Sequence, residues 1–301
     1  MTTLNSEKYL EEAIKSILDQ TFKFFELLII DGGSIDTTAY IVSSIQDKRI
    51  KYCTKKGGRG AQLNYGIRES KGAYIAIMDS DDIAYPMRLQ VQLEFMEKHP
   101  TTYLLGSWAK LISEEKEIIS ELKRPLMDKV IKENLLARNG ISFPTLMINK
   151  KIFLGDIYIN ESLEHSEDLE FFIRLPEECL LSNIPEFLMQ LRQTRNSRSR
   201  KDDLCKNSLL RALEFDLKQK IFKHTNPCLN NRHLGIAHYY YGKCKTARKH
   251  LILSLLNNPF QMLTFRYLLP SLLGDQLLHK IRSNHCLLNL ADRFRKMCIN
   301  K

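Results

Sequence analysis

No apolar run in this 301-residue chain reaches the 18 or so residues of a membrane-spanning helix; the best candidate, Leu263 to Leu273, is interrupted by Arg266 and Pro270. A helical membrane span is therefore not expected. A secretory leader is not expected either, because Met1 runs directly into polar Thr2, Thr3, Asn5 and Ser6. The seven cysteines never fall at Cys-Xaa-Xaa-Cys spacing, which argues against a zinc site or redox pair and makes a reducing cytoplasm the expected compartment. Acidic residues become scarce beyond Leu191. Residues 191–301 hold 22 Lys/Arg and 6 Asp/Glu, against 23 and 29 in the first 190, so an acidic front carries a basic back within a net charge of +10. Such a back suits an anionic partner, whether nucleic acid, an anionic membrane surface or a phosphorylated substrate, and composition does not choose among them.

What is present is enough apolar side chain, 44% of residues, for one large domain or two ordinary ones. The chain is organised around Tyr74-Ile75-Ala76-Ile77-Met78-Asp79-Ser80-Asp81-Asp82. Its continuous apolar part, Ala73 to Met78, reads as a short strand buried on both faces. Three carboxylates then crowd a strand end, the edge at which open α/β sheets place their ligand chemistry. Their mutual repulsion favours a divalent cation; the plain alternative is that one Asp caps a helix starting near Pro86.

The flanking segments alternate. Asn5 or Ser6 is expected to cap a helix whose apolar positions are Tyr9, Leu10, Ala13, Ile14, Ile17 and Leu18. Phe25 to Ile30 reads as a buried strand, Asp31-Gly32-Gly33-Ser34 as a turn, Asp36 to about Ile45 as a helix and Ile50 to Cys53 as a strand. Gly57-Gly58-Arg59-Gly60 then leads into a helix through Asn64 and Ile67. This order predicts an α/β fold, a mainly parallel sheet flanked by helices. Beyond a helix from Pro86 to His99, strand character at Tyr103 to Ile112, Glu117 to Leu122 and Ser142 to Ile148 surrounds a helix from Met127 to Arg138. Ser166 can cap a helix through Leu175, with Glu167 and Asp168 in its first turn, where acids ordinarily just complement the helix dipole. The run Arg192, Arg195, Arg198, Arg200 and Lys201 reads as a solvated basic loop. The remainder reads as helical, at Leu204 to Phe222, Leu234 to Tyr241, Thr246 to Leu256 and Leu263 to Leu278. It contains one tetratricopeptide-like hairpin, too few copies for a repeat domain.

Five stretches then stand in a telling order: Tyr9-Leu10-Xaa-Glu12-Ala13-Ile14 through Gln20-Thr21-Phe22; Ile30-Asp31-Gly32-Gly33-Ser34-Xaa-Asp36; Asn64-Xaa-Gly66-Ile67; Asp79-Ser80-Asp81-Asp82; and Ser166-Glu167-Asp168-Xaa-Glu170 with Arg174. Together they resemble the family-two inverting, nucleotide-sugar-dependent glycosyltransferases of the GT-A fold, over about Asn5 to Arg200. Each alone is weak; five in sequence are a strong signal. The resemblance implies a Rossmann-like GT-A domain over 1–200, with its nucleotide-binding part at about 1–100 and its acceptor part at about 101–200, followed by a basic helical region over 201–301. It implies transfer of a sugar from a nucleotide-diphosphate sugar, a UDP-sugar first of all, to a hydroxyl of a glycan or lipid-linked acceptor in cell-surface polysaccharide or glycoconjugate synthesis. By the same resemblance Asp79 and Asp81 hold Mn2+ or Mg2+, Asp81 the more directly. Asp31 belongs to the base pocket, and Asn5, Gly33, Arg59, Asn64, Asp79 and Ser80 line the nucleotide sugar. Asp168 is the general base, with Glu167 next in line.

Three departures qualify the match. Relatives usually open with a buried strand ending in a Pro-Xaa-Tyr-Asn-like segment, whereas this chain starts at Thr3-Leu4-Asn5, so that central strand is expected to be missing and its neighbours to lie roughly 10 Å apart. Gly32 stands in place of a second acid at the base. Thr194 stands in place of a histidine, leaving Arg195 or Arg198 to meet the diphosphate. The expected setting is the cytoplasm, at the inner face of a membrane, with peripheral contact through the basic helices and no nucleic acid. Two other readings stay open. A nucleotidyltransferase is opposed by the Asn64 to Asp82 and Glu167-Asp168 segments, and a shortened, non-catalytic binding or scaffold protein is favoured by the absent strand.

Overall fold

The computed structural model describes residues 1–135, 140–154, 158–164, 166–176 and 178–194, and further on 231, 234–236, 238–239, 244–257, 259 and 262–272. It divides into two compact units, Met1–Ala212 and Leu213–Lys301.

In the first unit the apolar runs become strands and the periodic segments helices. They follow in the order β1 (Thr2–Thr3), α1 (Leu10–Leu18), β2 (Leu27–Asp31), α2 (Thr38–Ser44), β3 (Ile50–Thr54), α3 (Arg59–Glu69), β4 (Tyr74–Ala76), β5 (Ile83–Ala84) and α4 (Arg88–Lys98). Then come β6 (Thr102–Ile112), β7 (Ile118–Leu122), α5 (Asp128–Asn134), β8 (Met147–Asn149), α6 (Glu167–Arg174) and β9 (Leu180–Arg192). β1, β2 and β3 form an all-parallel sheet. A second sheet runs β4-β8-β6-β9-β5 with β7 on β6; there only β6 and β9 are parallel. The architecture is thus α/β with mixed strands flanked by helices. α1 buries Leu10, Ala13, Ile14 and Ile17 against Leu27 and Ile29 of β2, each large side chain contributing roughly 1.5–3 kcal/mol.

The strand expected to be missing is present as a stub. Thr2 and Thr3 pair with Ile30 and Asp31 of β2, and Thr2 forms an isolated parallel bridge to Asp79, which joins the two sheets. The gap is closed beside the acids and open below them, where an apolar cavity of about 250 Å³ separates β2 from β4.

Other expectations are corrected locally. Neither Asn5 nor Ser6 caps α1: the helix starts at Leu10 without a side-chain cap, because Asn5 Oδ1 accepts from the Ile35 N–H and Ser6 Oγ meets Ser80 Oγ. Pro144 turns Phe143–Thr145 into a 3-10 turn, so of the expected strand Ser142 to Ile148 only Met147 and Ile148 lie in β8, which runs on to Asn149. Ser166 does not cap α6 through its side chain and adopts a left-handed φ of 63°. α4 is likewise uncapped by any acid, since Met87 precedes it and Asp82 accepts from the Arg192 N–H.

The second unit is described by two helices that contact each other, α7 (Cys244–Asn257) and α8 (Met262–Ser271). Cys244, Ala247 and Leu251 of α7 are buried. No described helix is long and apolar enough to cross a membrane. The expected helix Leu204 to Phe222 lies outside the described residues.

Candidate active site

The acids sit on the seam between the sheets. Asp79 is held at the bridge to Thr2, and Ser80 is buried with its Oγ 2.8 Å from Ser6 Oγ. Asp82 is buried and accepts from the Arg192 N–H at 2.8 Å, while Arg192 Nε donates to the Asp81 carbonyl at 2.9 Å. Burial, then the charge of Asp79, pushes the Asp81 carboxyl up to about 6; burial with Asp81 and Asp79 raises Asp82 well above the ordinary carboxylate range. Beneath them Arg88 is fully buried, donating to the carbonyls of Ile77 at 2.7 Å and Pro144 at 3.1 Å. Its burial lowers the guanidinium to about 10 even though Asp82 and Asp79 favour its charge.

Arg59, the first residue of α3, connects this strand end to α6. Its guanidinium donates to Asp79 Oδ1 at 2.8 Å and to Glu167 Oε1 at 3.0 Å, and lies 5.0 Å over the Phe143 ring. Burial opposes its charge, but Asp79 and Glu167, with Asp168 adding to the field, hold it well above the usual guanidinium range. Residues 59, 79 and 167–168 are therefore gathered at one place. Glu167 is buried and tied to Arg59, whereas Asp168 is half-buried and its Oδ1 accepts from the Leu169 N–H at 2.8 Å.

Several residues expected along the nucleotide sugar have other work. Asp31 Oδ1 accepts from Gly33 N–H, Ser34 N–H and Ser34 Oγ, and Oδ2 accepts from the Tyr52 hydroxyl. Burial alone would raise this carboxyl, but those donors hold it below its ordinary value. Gly33 supplies the φ of +101° that the turn needs. Asn64 is buried and spends its whole amide on the segment before α6: Nδ2 donates to the Ile159 carbonyl and Glu161 Oε1, each at 2.8 Å, and Oδ1 accepts from the Ile159 N–H. Asn64 thus positions the approach to α6. Gly60 assists, since a Cβ there would meet the Asn160 carbonyl at 3.0 Å. Asn5 sits at the rim by the 34–35 turn. Arg195 and Arg198 lie outside the described residues.

Arg192 is a correction. Read as part of a solvated loop, it is instead the buried end of β9 and also donates to Glu12 Oε2 at 2.7 Å and the Glu114 carbonyl at 2.9 Å. The signal was the apolar pattern Leu188-Met189-Gln190-Leu191 before it. Tyr52 and Arg88 were missed because a single Tyr or Arg carries no pattern.

Residues 1–153 match the family model described as "Glycosyl transferase family 2". The chain belongs to glycosyl transferase family 2. Among relatives of this glycosyltransferase is an uncharacterised glycosyltransferase of Methanocaldococcus jannaschii, 36% identical over 200 residues covering 64% of this chain and 69% of that one. An O-antigen biosynthesis glycosyltransferase of Escherichia coli is 35% identical over 193 residues, 62% and 75% of the two chains. An E. coli UDP-Glc:alpha-D-GlcNAc-diphosphoundecaprenol beta-1,3-glucosyltransferase is 31% identical over 155 residues, 50% and 59% of the two chains. Two solved structures share the GT-A fold: Staphylococcus aureus TarS with UDP-GlcNAc (TM-score 0.62, 17% identity, covering 85% and 79%) and a Pyrobaculum calidifontis mannosyltransferase with GDP-Man and Mn2+ (TM-score 0.57, 13% identity, covering 91% and 85%).

Proposed function

We propose that this glycosyltransferase is an inverting enzyme that moves a sugar from a nucleotide-diphosphate sugar, UDP-linked in the first instance, to a hydroxyl of a glycan or lipid-linked acceptor in cell-surface polysaccharide or glycoconjugate synthesis. The observation that carries the reading is the Arg59 bridge, which gathers the Asp79 strand end and the Glu167-Asp168 turn at one place. The O-antigen and diphosphoundecaprenol relatives support the acceptor class.

Asp168 takes the proton of the acceptor hydroxyl. That oxygen attacks the anomeric carbon from the face opposite the diphosphate, and the diphosphate leaves with the bonding pair, so the configuration inverts. Asp168 suits the role better than Glu167 because it is the more exposed of the two and is not in the Arg59 ion pair. The residues also fit a divalent cation: Asp79 and Asp81 offer hard oxygens, and Asp81 already bears the cost of burial beside a second negative charge. Asp79 and Asp81 would hold Mn2+ or Mg2+, which when bound would neutralise the departing diphosphate. Among the described residues no group of three or more His, Cys, Asp and Glu converges as a ready-made metal cage. Peripheral contact of the basic region with an anionic inner membrane face belongs to the same proposal, since each Lys or Arg near such a surface contributes about 1 kcal/mol.

The test is nucleotide release with a panel of nucleotide sugars and Mn2+. Asp168→Asn is expected to lower turnover by roughly 10²- to 10⁴-fold while donor affinity measured by calorimetry stays within about twofold. Retained turnover in Asp168→Asn with loss in Glu167→Gln would move the base to Glu167. Absence of turnover with every donor, in a wild-type protein that binds none of them, would sink the catalytic reading.

A further inference from the structure

The helices of the two units are patterned in opposite senses. In the first unit α1 buries Leu10, Ile14 and Ile17 and turns Glu11 and Lys15 outward, as a helix covering a core in water does. In the second unit α8 and the residue after it expose Phe265, Leu269 and Leu272, at steps of four and three residues, while Thr264, Tyr267 and Ser271 are buried. α7 repeats this: Ile252, Leu253 and Leu256 are exposed, whereas Cys244, Ala247, Leu251 and Ser254 are buried. Leu256 and Leu269 keep 76% and 62% of their surface, so they are not the margin of a core. Small and hydroxyl-bearing residues inside with large apolar ones outside is the pattern of helix pairs whose surroundings are themselves apolar. The hydroxyl of Ser271 is satisfied within its own helix, donating to the Leu268 carbonyl at 2.6 Å.

Charge narrows what those surroundings are. Lys245 and Lys249 are exposed and stand on the same stripe of α7 as Ile252 and Leu256, at steps of four, three and four residues. No Asp or Glu occurs between Asp216 and Asp275. A second copy of this surface would bring cations together with no acid to meet them. An anionic bilayer meets both parts of the stripe, acyl chains beside the leucines and headgroup phosphates beside the lysines. Length sets the mode of contact. At about 1.5 Å per residue, the 14 residues of α7 and the 10 of α8 reach roughly 21 and 15 Å, short of the hydrocarbon core of about 30 Å. Neither helix can cross a bilayer, and each is long enough to lie in its interface.

We propose that the exposed stripes of α7 and α8 are a lipid-insertion surface: Ile252, Leu256, Phe265 and Leu269 enter the acyl boundary of an anionic bilayer while Lys245 and Lys249 meet its headgroups. The inference rests on the membrane contact proposed above and changes its physical basis. Contact through basic residues alone is electrostatic and is released by salt. Insertion adds a hydrophobic component that salt does not screen, and it accounts for the exposed leucines, which charge alone leaves without a purpose. It is independent of the reaction assigned to the first unit.

The test floats the full chain with phosphatidylcholine vesicles, with and without phosphatidylglycerol, at low and at high salt. Wild-type protein is expected to float with the anionic vesicles and to stay partly bound at high salt. Leu256→Ser combined with Leu269→Ser changes no charge, and is expected to lower partition at least about tenfold with circular dichroism and nucleotide release unchanged. Lys245→Gln combined with Lys249→Gln is expected to weaken the preference for phosphatidylglycerol and to spare the salt-resistant part. Leu269→Trp should gain emission that is quenched by lipids brominated on their acyl chains, above the wild-type background. Unchanged partition of the serine variant, or complete release by salt, overturns insertion and leaves the electrostatic contact standing. Wild-type protein that never floats overturns both, and self-association without lipid that the serine pair abolishes overturns the proposal by assigning the surface to a second copy. Nucleotide release, scored in parallel, shows separately whether the catalytic reading holds.

Discussion

The two sheets hold the same cluster of acids by very different means. On the larger sheet β6 and β9 run side by side from Thr102 to Ile112, and β9 ends in Arg192, which fastens Asp81 and Asp82 through one N–H and one guanidinium bond. On the smaller sheet the strand beside Asp79 is two residues long, stands above a cavity and ends in an enclosed amine. What compensates is Arg59, which ties Asp79 to α6 from the side. One flank of the site is held by long-range strand pairing and the other by a single cation.

This contrast is sharpened by removing each arginine in turn. Arg192→Met removes a buried guanidinium that donates to the Asp81, Ser113 and Glu114 carbonyls and to Glu12, which keeps its pairing with Lys116, and is expected to lower stability by about 3–5 kcal/mol in urea denaturation. Arg59→Met is expected to cost less, about 2–4 kcal/mol, because that guanidinium makes two bonds, to Asp79 and Glu167, and water screens part of the loss at Asp79, whose side chain is 29% exposed. Arg59→Lys restores charge without the fork and should recover part of the stability but not the spacing of Asp79 from Glu167, leaving donor affinity weakened. If Arg59→Met proves as stable as wild type, the single-cation account of that flank is wrong.

The next effect is smaller and depends on pH. The Met1 amine is 8.0 in an open chain and about 6 when folded, with Asp79, Arg59 and Arg88 as the charged groups facing it. Between those values the unfolded chain holds the extra proton, so stability rises as pH climbs from 6 to 8 and the penalty is fully present only below 6. Because Met1 as a residue is half-buried and water screens part of the penalty, an effect of about 1–2 kcal/mol is expected. Acetylating the amine should abolish this slope. A slope that survives acetylation belongs to another group.

Much of this was legible in the sequence, and what was not has identifiable causes. Apolar runs bounded by glycine or acid clusters gave β2, β3 and the Asp79 strand end within a residue or two, because periodicity is a local property. Bounds failed where a polar side chain had a better distant partner than the helix end next to it, as with Ser6 bonding to Ser80 in place of capping α1. The segments of the site were visible, but their joining was not: Arg59 and Glu167 are 108 residues apart, and no spacing rule pairs them. Asn64 matched a family position, yet its amide turned out to fasten residues 159–161. Arg192 was hidden by its neighbours, since four more basic residues follow it and make a strand end look like a solvated loop.

The smallest predicted effect tests whether the three-stranded sheet also shapes the nucleotide side of the site. Tyr52 on β3 donates its hydroxyl to Asp31 at the end of β2, and burial together with that carboxylate pushes the phenol up to about 12. Tyr52→Phe removes one of four donors while Ser34 and Gly33 keep the others, so a stability loss of about 1 kcal/mol is expected. With that donor gone, the Asp31 carboxyl should titrate higher, and the stability it contributes should be lost at a less acid pH than in the wild type. If Asp31 also meets the nucleobase, the oxygen freed by Tyr52→Phe becomes available to it and donor affinity should change by more than the stability does. Equal donor affinity in the two proteins would instead assign Asp31 wholly to the turn, and the smaller sheet would then act on the site through the Thr2 bridge to Asp79.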